Sequence, residues 1–164
     1  MCKGLSSLPS SCLERAKGMR VKLTHLAERQ DWTHHKHKAQ DNQIIHDLDS
    51  LLSSKTGLQA FRWFLCSEFS NENLEFWLAC EDYRVSPSHL LRAKASSIYS
   101  KFVSPNSSHE VNLDAETREA LLGVIDSPSV DTFKDAQQRI YSLMASDSFP
   151  RFLRSPHFME VIKA

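Results

Sequence analysis

Apolar residues recur at helical spacing along most of this chain, and this pattern limits the fold more than any other feature of the sequence. The alternation of apolar and polar residues that strands require is nowhere sustained, and the 164 residues include only four glycines. Apolar stripes with the period of a helix occupy residues 48–52, 58–65, 74–83, 90–102, 114–122, 133–144 and the segment from Pro156. We therefore predict an all-α fold.

A polar tetrapeptide, Ser70-Asn71-Glu72-Asn73, separates two of the most apolar stripes. We expect Ser70 to cap a helix that begins near Asn71, with Glu72 in the first turn, where the helix dipole favours an acidic side chain. Capping does not account for Asn73, because asparagine is a mediocre residue inside a helix. We therefore expect exposed side chains here and a role for Asn73 outside folding.

Other helix boundaries are also marked in the sequence. Asp114 is expected to be the N-cap of a helix through Leu121 and Leu122, and Pro156 to occupy the first position of the last helix. The stripe over residues 74–83 is apolar on nearly every side, which predicts a helix at the centre of a bundle.

Composition divides the chain into three parts. Residues 1–30 carry six Lys/Arg and two Asp/Glu, whereas residues 31–164 carry 14 and 18. Residues 31–43 are polar and lack an apolar stripe, so we interpret them as a linker before a helical domain over residues 44–164. The basic end predicts an anionic partner for residues 1–30, and the acidic body argues against nucleic-acid binding.

Residues 8–27 have the pattern of an amphipathic helix. One face carries apolar or small residues, namely Leu8, Cys12, Ala16, Met19, Leu23, Leu26 and Ala27. Basic residues flank it, namely Arg15, Lys17, Arg20 and Lys22. This pattern predicts a helix that lies on an anionic membrane surface. Packing of the helix against its own domain remains the alternative.

No motif of enzyme chemistry is found. The chain lacks a glycine-rich phosphate loop and the G-x-S-x-G and H-E-x-x-H patterns. We interpret the cluster His34, His35 and His37 as a solvated tract in the linker rather than a metal site. The sequence therefore predicts no catalytic site of its own, no cofactor and no metal.

The cysteines and the hydropathy indicate the compartment. Cys2, Cys12, Cys66 and Cys80 form no C-x-x-C pair, and there is no apolar run of 18 residues and no secretory signal peptide. We therefore expect a reduced, cytoplasmic protein without structural disulfides. Cys66 and Cys80 lie in apolar helices and are expected to be core residues.

Three stretches together resemble the regulator of G-protein signalling (RGS) family. They are SEFSNENLEFWLACEDY (Ser67–Tyr83), EVNLD (Glu110–Asp114) and LMASDSFPRFLRS (Leu143–Ser155). The opening MCKGL and the LPSSCLERAK that begins at Leu8 resemble the small members of that family, whose N-terminus is short and amphipathic.

The resemblance implies a fold, an activity and a partner. The fold is an RGS-type bundle of about nine helices, preceded here by the amphipathic N-terminal helix. The activity is acceleration of GTP hydrolysis by heterotrimeric G-protein α subunits, of the inhibitory or Gq type, which ends receptor signalling. The chain would act as a monomer, peripheral at the inner face of the plasma membrane. The alternative is a scaffold that keeps the helical domain and binds α subunits or other signalling partners without accelerating hydrolysis.

The resemblance also implies the residues that contact the α subunit. They come from three loops: Phe69, Ser70, Glu72 and Asn73; then Glu110, Asn112 and Asp114; then Leu143, Asp147, Ser148 and Arg151. In the family, Asn112 approaches the catalytic glutamine and Asn73 braces a switch segment. Two alternatives stay open: Arg151 and Asp147 could pair with each other and shape the third loop, and Leu143 could be a core residue.

The resemblance extends to lipid modification. Cys2, Cys12 and Cys80 are the candidate palmitoylation sites. Cys2 could instead become a destabilising N-terminus once Met1 is removed, so that abundance rather than location would be regulated.

Overall fold

The computed structural model describes residues 47–163, with side chains as far as Met159. Eight α-helices occupy this part of the chain: α1 Leu48–Ser53, α2 Lys55–Ser67, α3 Glu72–Arg84, α4 Ser88–Ile98, α5 Ala115–Val124, α6 Lys134–Leu143, α7 Phe149–Leu153 and α8 Pro156–Lys163. A π-helical segment, Tyr99–Val103, continues α4, and a second, Met144–Ser148, joins α6 to α7.

These elements confirm the all-α prediction. Because each π segment runs directly on from a helix, residues 47–163 contain seven continuous helical runs, fewer than the expected nine helices. The predicted N-terminal helix and the linker over residues 31–43 lie outside the described residues. Within the described part, no helix is both long enough and apolar enough to cross a membrane.

The described residues fall into two compact units. The first consists of residues 47–69 and 155–163, and the second of residues 70–154. In the first unit α2 packs against both α1 and α8. Phe64 of α2 stacks on Phe61 and meets His157 of α8 edge to face, with the ring centroids 6.4 Å apart in each case.

The second unit is built on α3, which packs against α4 and α6. Phe76 and Tyr83 of α3 are buried, and both meet the ring of Phe133 edge to face at 6.5 and 5.1 Å between centroids. Phe102 completes this aromatic core at 5.7 Å from Phe76. Each such pair adds about 0.5–1.5 kcal/mol beyond the burial of its area.

Two of the predicted helix starts are confirmed. Asp114 is the N-cap of α5, where its Oδ1 accepts the N–H of Thr117 at 2.7 Å, and Pro156 is the first residue of α8.

The prediction that Ser70 caps α3 is wrong. The helix begins at Glu72, so the N-cap is Asn71, whose backbone is already helical (φ −70°, ψ −15°). A capping side chain reaches the second or third helical N–H from an extended backbone, and Ser70 lies one residue too early for this. The Ser70 hydroxyl is buried without a hydrogen-bond partner among the described residues. Asn71 donates its side-chain amide to Glu75 Oε1 at 3.0 Å instead.

Two helical glycines allow a test of how α1 packs on α2. A Cβ at Gly57 of α2 would lie 2.8 Å from Leu51 Cδ1 and 3.0 Å from the Leu51 carbonyl oxygen, whereas a Cβ at Gly123 of α5 would have no atom within 4 Å. We expect Gly57→Ala to lower the free energy of unfolding by about 1–3 kcal/mol, because a backbone oxygen cannot swing aside. Gly123→Ala should raise it by up to about 1 kcal/mol through helix propensity alone. Thermal denaturation of both variants checks this, and a gain in Tm for Gly57→Ala would contradict the packing of α1 on α2.

Candidate functional site

The residue before the tetrapeptide has an unusual backbone. Phe69, the last residue of the first unit before the chain enters the second, has φ 57°, and its side chain is 67% exposed. A bulky residue in the left-handed region costs of order 1–3 kcal/mol, and such strain clusters at functional sites. An exposed aromatic ring held in this way is suited to contact with another molecule.

Two residues of the first sequence-predicted group and two of the second line one open cleft in the second unit, whereas Phe69, Ser70 and Asp114 do not line it. Its volume is about 250 Å³. Glu72 and Asn73 from the first turn of α3 form one side, and Glu110, Val111, Asn112 and Arg118 form the other. Residues almost forty positions apart in the chain are therefore neighbours here.

The burial of Asn73 departs from the sequence-based expectation. We expected exposed side chains throughout the tetrapeptide, but Asn73 is only 8% exposed and Asn71 is also buried. Asn71 directly precedes α3 and Asn73 lies in its first turn, and of the two only Asn73 lines the cleft. Asn73 is available to a partner only through the cleft that it lines.

Buried neighbours fix the position of Asn112. Val111 and Leu113 are both buried, and Asn112 between them is exposed. The Val111 N–H donates to the carbonyl of Phe102 at 2.9 Å, which joins this segment to the π segment after α4. Among the described residues, none hydrogen-bonds to the Asn112 side chain. Its amide is thus held by the backbone and left open for a partner.

Glu110 is held from two sides within the protein. Its Oε1 accepts from Arg118 Nη2 at 2.7 Å, and its Oε2 accepts from the N–H of Asn106 at 3.3 Å. Asn106 has a left-handed backbone (φ 66°), which asparagine tolerates better than most residues. Sequence reasoning did not single out Arg118. Its position one turn beyond the predicted cap Asp114 was the available signal.

Asp114 is likewise engaged inside the second unit. One carboxylate oxygen caps α5, and the other pairs with Arg139 of α6. Hydrogen bonding to Thr117, with a smaller contribution from Arg139, lowers the pKa of the Asp114 carboxyl below its usual value. Arg139 was also missed, because nothing in the sequence places it beside a residue 25 positions away.

The third group lies where α6 continues through the π segment into α7. Leu143 ends α6 and is half-buried, so both of its proposed roles stay open. Asp147 and Ser148 belong to the π segment, and Ser148 is buried. Asp147 accepts from Arg151 Nη2 at 2.8 Å, which is the internal pair considered as an alternative. No residue of this group lines the cleft described above.

The two described cysteines are buried free thiols. Cys80 is 2% exposed, and burial raises the pKa of its thiol far above the usual range. Because acyl transfer requires an accessible sulfur, the folded domain would have to open locally before Cys80 could be acylated, and Cys80 stays a predicted palmitoylation site. Cys2 and Cys12 lie outside the described residues. Within the described chain, no three side chains of His, Cys, Asp or Glu are grouped so that they could hold a metal ion.

Comparison with known proteins identifies the family of this chain. The model of the regulator of G protein signaling domain matches residues 47–161. Regulator of G-protein signaling 5 of Sus scrofa is 42% identical, over 99% of this chain and 100% of the relative, and the Mus musculus protein of the same name is 41% identical over the same shares. Regulator of G-protein signaling 1 of Xenopus tropicalis is 45% identical over 77% of this chain and 65% of the relative. The chain belongs to the regulator of G-protein signaling family.

Proposed function

We propose that this protein accelerates GTP hydrolysis by heterotrimeric G-protein α subunits, has no catalytic site of its own, and thereby ends receptor signalling. The observation that carries the proposal is the cleft that brings Asn73 and Asn112 together. Two amide side chains from distant segments are presented at one surface, one from the rigid start of α3 and the other between two buried residues. Family membership supports the same partner.

The mechanism needs only a modest amount of binding energy. An α subunit has its own arginine in cis and a glutamine that orients the attacking water. A partner can therefore act by holding the mobile switch segments as they are in the transition state, since only interactions that strengthen there raise the rate. A hundredfold acceleration corresponds to roughly 2.7 kcal/mol. Two or three hydrogen bonds of about 1 kcal/mol each would supply it.

Amides suit this task better than charged groups. An asparagine donates and accepts hydrogen bonds without bringing a charge near the γ-phosphate. We assign Asn112 to the catalytic glutamine of the α subunit and Asn73 to a switch segment. Both carboxylate oxygens of Glu110 already accept hydrogen bonds within the protein. We therefore propose that Glu110 and Arg118 hold the segment that carries Asn112 in place.

A single-turnover assay tests the proposal. We expect the full chain to accelerate GTP hydrolysis by an inhibitory-type α subunit. We also expect it to bind most tightly to the subunit with GDP and aluminium fluoride, less tightly with a GTP analogue and least with GDP, because the transition state is favoured. Binding with equal affinity in all three states, without acceleration, would support the scaffold alternative. GTP turnover by the chain alone would mean that it has a catalytic site of its own.

Asn112→Ala tests whether this side chain serves hydrolysis acceleration rather than folding. We expect it to lower the acceleration roughly ten- to a hundredfold, the loss expected for a hydrogen bond near charged groups in the transition state. An exposed side chain contributes little to folding, so the free energy of unfolding should change by no more than about 0.5 kcal/mol. Gln138→Ala, which removes an exposed amide on α6, is the matched control and should keep full activity. A loss of activity in proportion to a loss of Tm would make Asn112 structural.

Residues 1–30 are proposed to bring the chain to anionic lipid at the inner face of the plasma membrane. A leucine buried in the interface contributes about 1.5–3 kcal/mol, and each basic residue near an anionic leaflet adds about 1 kcal/mol. One acyl chain alone is a marginal anchor, so acylation of Cys2 or Cys12 would act together with the helix. The destabilising-N-terminus alternative for Cys2 stays open.

Leu23→Asp tests the membrane role. On the predicted helix Leu23 is in the middle of the apolar face, and we expect its replacement to abolish binding to anionic vesicles and to leave hydrolysis acceleration in solution intact. His25→Asp adds the same charge about 200° around the helix and should bind nearly as well as the wild type. Raised salt should release the wild-type chain by screening. Normal vesicle binding by Leu23→Asp together with a lowered Tm would instead indicate that the helix packs on its own domain.

A further inference from the structure

The π segment Met144–Ser148 ends directly before an unusual pair of residues. The N–H of Phe149 donates to the carbonyl of Met144, five residues back, rather than to the carbonyl four residues back that an α-helix would use. The next residue, Pro150, has no N–H to donate. The helical run nevertheless continues through α7 to Leu153.

The other π segment of the same unit ends with the same kind of hydrogen bond, although the helical run stops there, because Ser104 has a non-helical backbone (φ −55°, ψ 134°). After Tyr99–Val103, the N–H of Ser104 donates to the carbonyl of Tyr99 at 2.8 Å, again five residues back, and residue 105 is proline. Pro87, at the N-cap of α4, follows no π segment. In both segments the last hydrogen bond before the proline spans five residues, but only at Pro150 does a helix continue past the proline.

Proline geometry accounts for the five-residue hydrogen bond before Pro150. In a continuous α-helix the ring of Pro150 would collide with the carbonyl of Ser146, four residues earlier, and that carbonyl would lose its hydrogen bond. Widening the preceding turn by one residue removes the collision. Pro150 then falls in the first turn of α7, where a missing N–H is tolerated.

The wider turn changes the directions of the third group of contact residues. One extra residue in a turn rotates everything after it by about 100° relative to an unbroken α-helix. Leu143 precedes the π segment, whereas Asp147, Ser148 and Arg151 lie within or after it. The angle between Leu143 and the other three is therefore set by this segment.

We propose that Pro150 is a positioning residue for docking: by enforcing the π segment, it sets the angle between Leu143 and the Asp147–Arg151 pair that lets both meet one α subunit. This inference rests on the proposed function. It assigns a role to a side chain outside the three groups of contact residues.

Pro150→Ala in the full chain tests the inference. The scalar coupling across the hydrogen bond, measured by NMR, should move from Phe149 N and the Met144 carbonyl to Phe149 N and the Ala145 carbonyl. Affinity for an inhibitory-type α subunit with GDP and aluminium fluoride should fall roughly tenfold, the loss of one or two hydrogen bonds. The Tm should fall as well, because the rotation would move the buried rings of Phe149 and Phe152 out of their packing. The preference for the aluminium fluoride state over the GDP state should shrink, which a merely structural role would not cause.

Pro87→Ala is the matched control, because this exposed proline follows no π segment, and its affinity should stay within about twofold of the wild type. A Met144 coupling that persists in Pro150→Ala would overturn the inference, because the proline would then not set the π segment. A lost π segment with unchanged affinity would overturn it as well. A wild-type chain that binds no α subunit in any state would defeat the proposed function and the docking role together, whereas the two preceding outcomes leave the proposed function standing.

Discussion

The contact of Phe133 with the two rings of α3 is the interaction on which the second unit depends. Phe133 lies just before α6, and its ring meets Phe76 and Tyr83 edge to face. The Tyr83 hydroxyl donates to the Ser129 carbonyl at 2.6 Å, so the segment leading to α6 is fixed to the same helix. Since α3 begins with Glu72 and Asn73, the packing that forms the core also fixes one side of the cleft.

A different set of contacts holds the other side of the cleft in place. The segment before α5 has no helical hydrogen bonds of its own, and it is held by the burial of Val111 and Leu113 and by the backbone bond to Phe102. Phe102 itself packs on Phe76. Both asparagines are thus held by segments that pack on the same aromatic core. This packing fixes their relative position without a direct bond between them. Preorganisation of this kind is what a protein needs if it is to stabilise the switch segments of a partner in one conformation.

Sequence reasoning succeeded where a feature depends on near neighbours in the chain. The helices follow from the period of the apolar residues, and the Asp114 cap from the preference of that residue type at a helix start. The Ser70 cap was wrong by one residue, which is the usual uncertainty of a helix end. The burial of Asn73 depends on what packs around the first turn of α3, and no local pattern reports it.

Two arginines show more clearly that local sequence patterns do not report contacts between distant segments. Arg118 and Arg139 each pair with a carboxylate that sequence reasoning had assigned to the partner, but only the fold brings Arg139 of α6 to Asp114 at the start of α5. A contact carried over from a family resemblance identifies the position. It does not say whether the charge at that position is already neutralised inside the protein.

These pairs limit what charge can contribute to docking. Glu110 has Arg118, Asp114 has Arg139, and Asp147 has Arg151, so the three acidic residues assigned to the second and third groups each have an internal partner. A cation of the α subunit would have to displace an arginine to reach any of them. Such an exchange between partly exposed ion pairs is nearly neutral, because each pair contributes only about 0–1 kcal/mol. Discrimination between nucleotide states would therefore rest on the uncharged groups at the surface, above all on the amides of Asn73 and Asn112, whose hydrogen bonds depend on where the switch segments are.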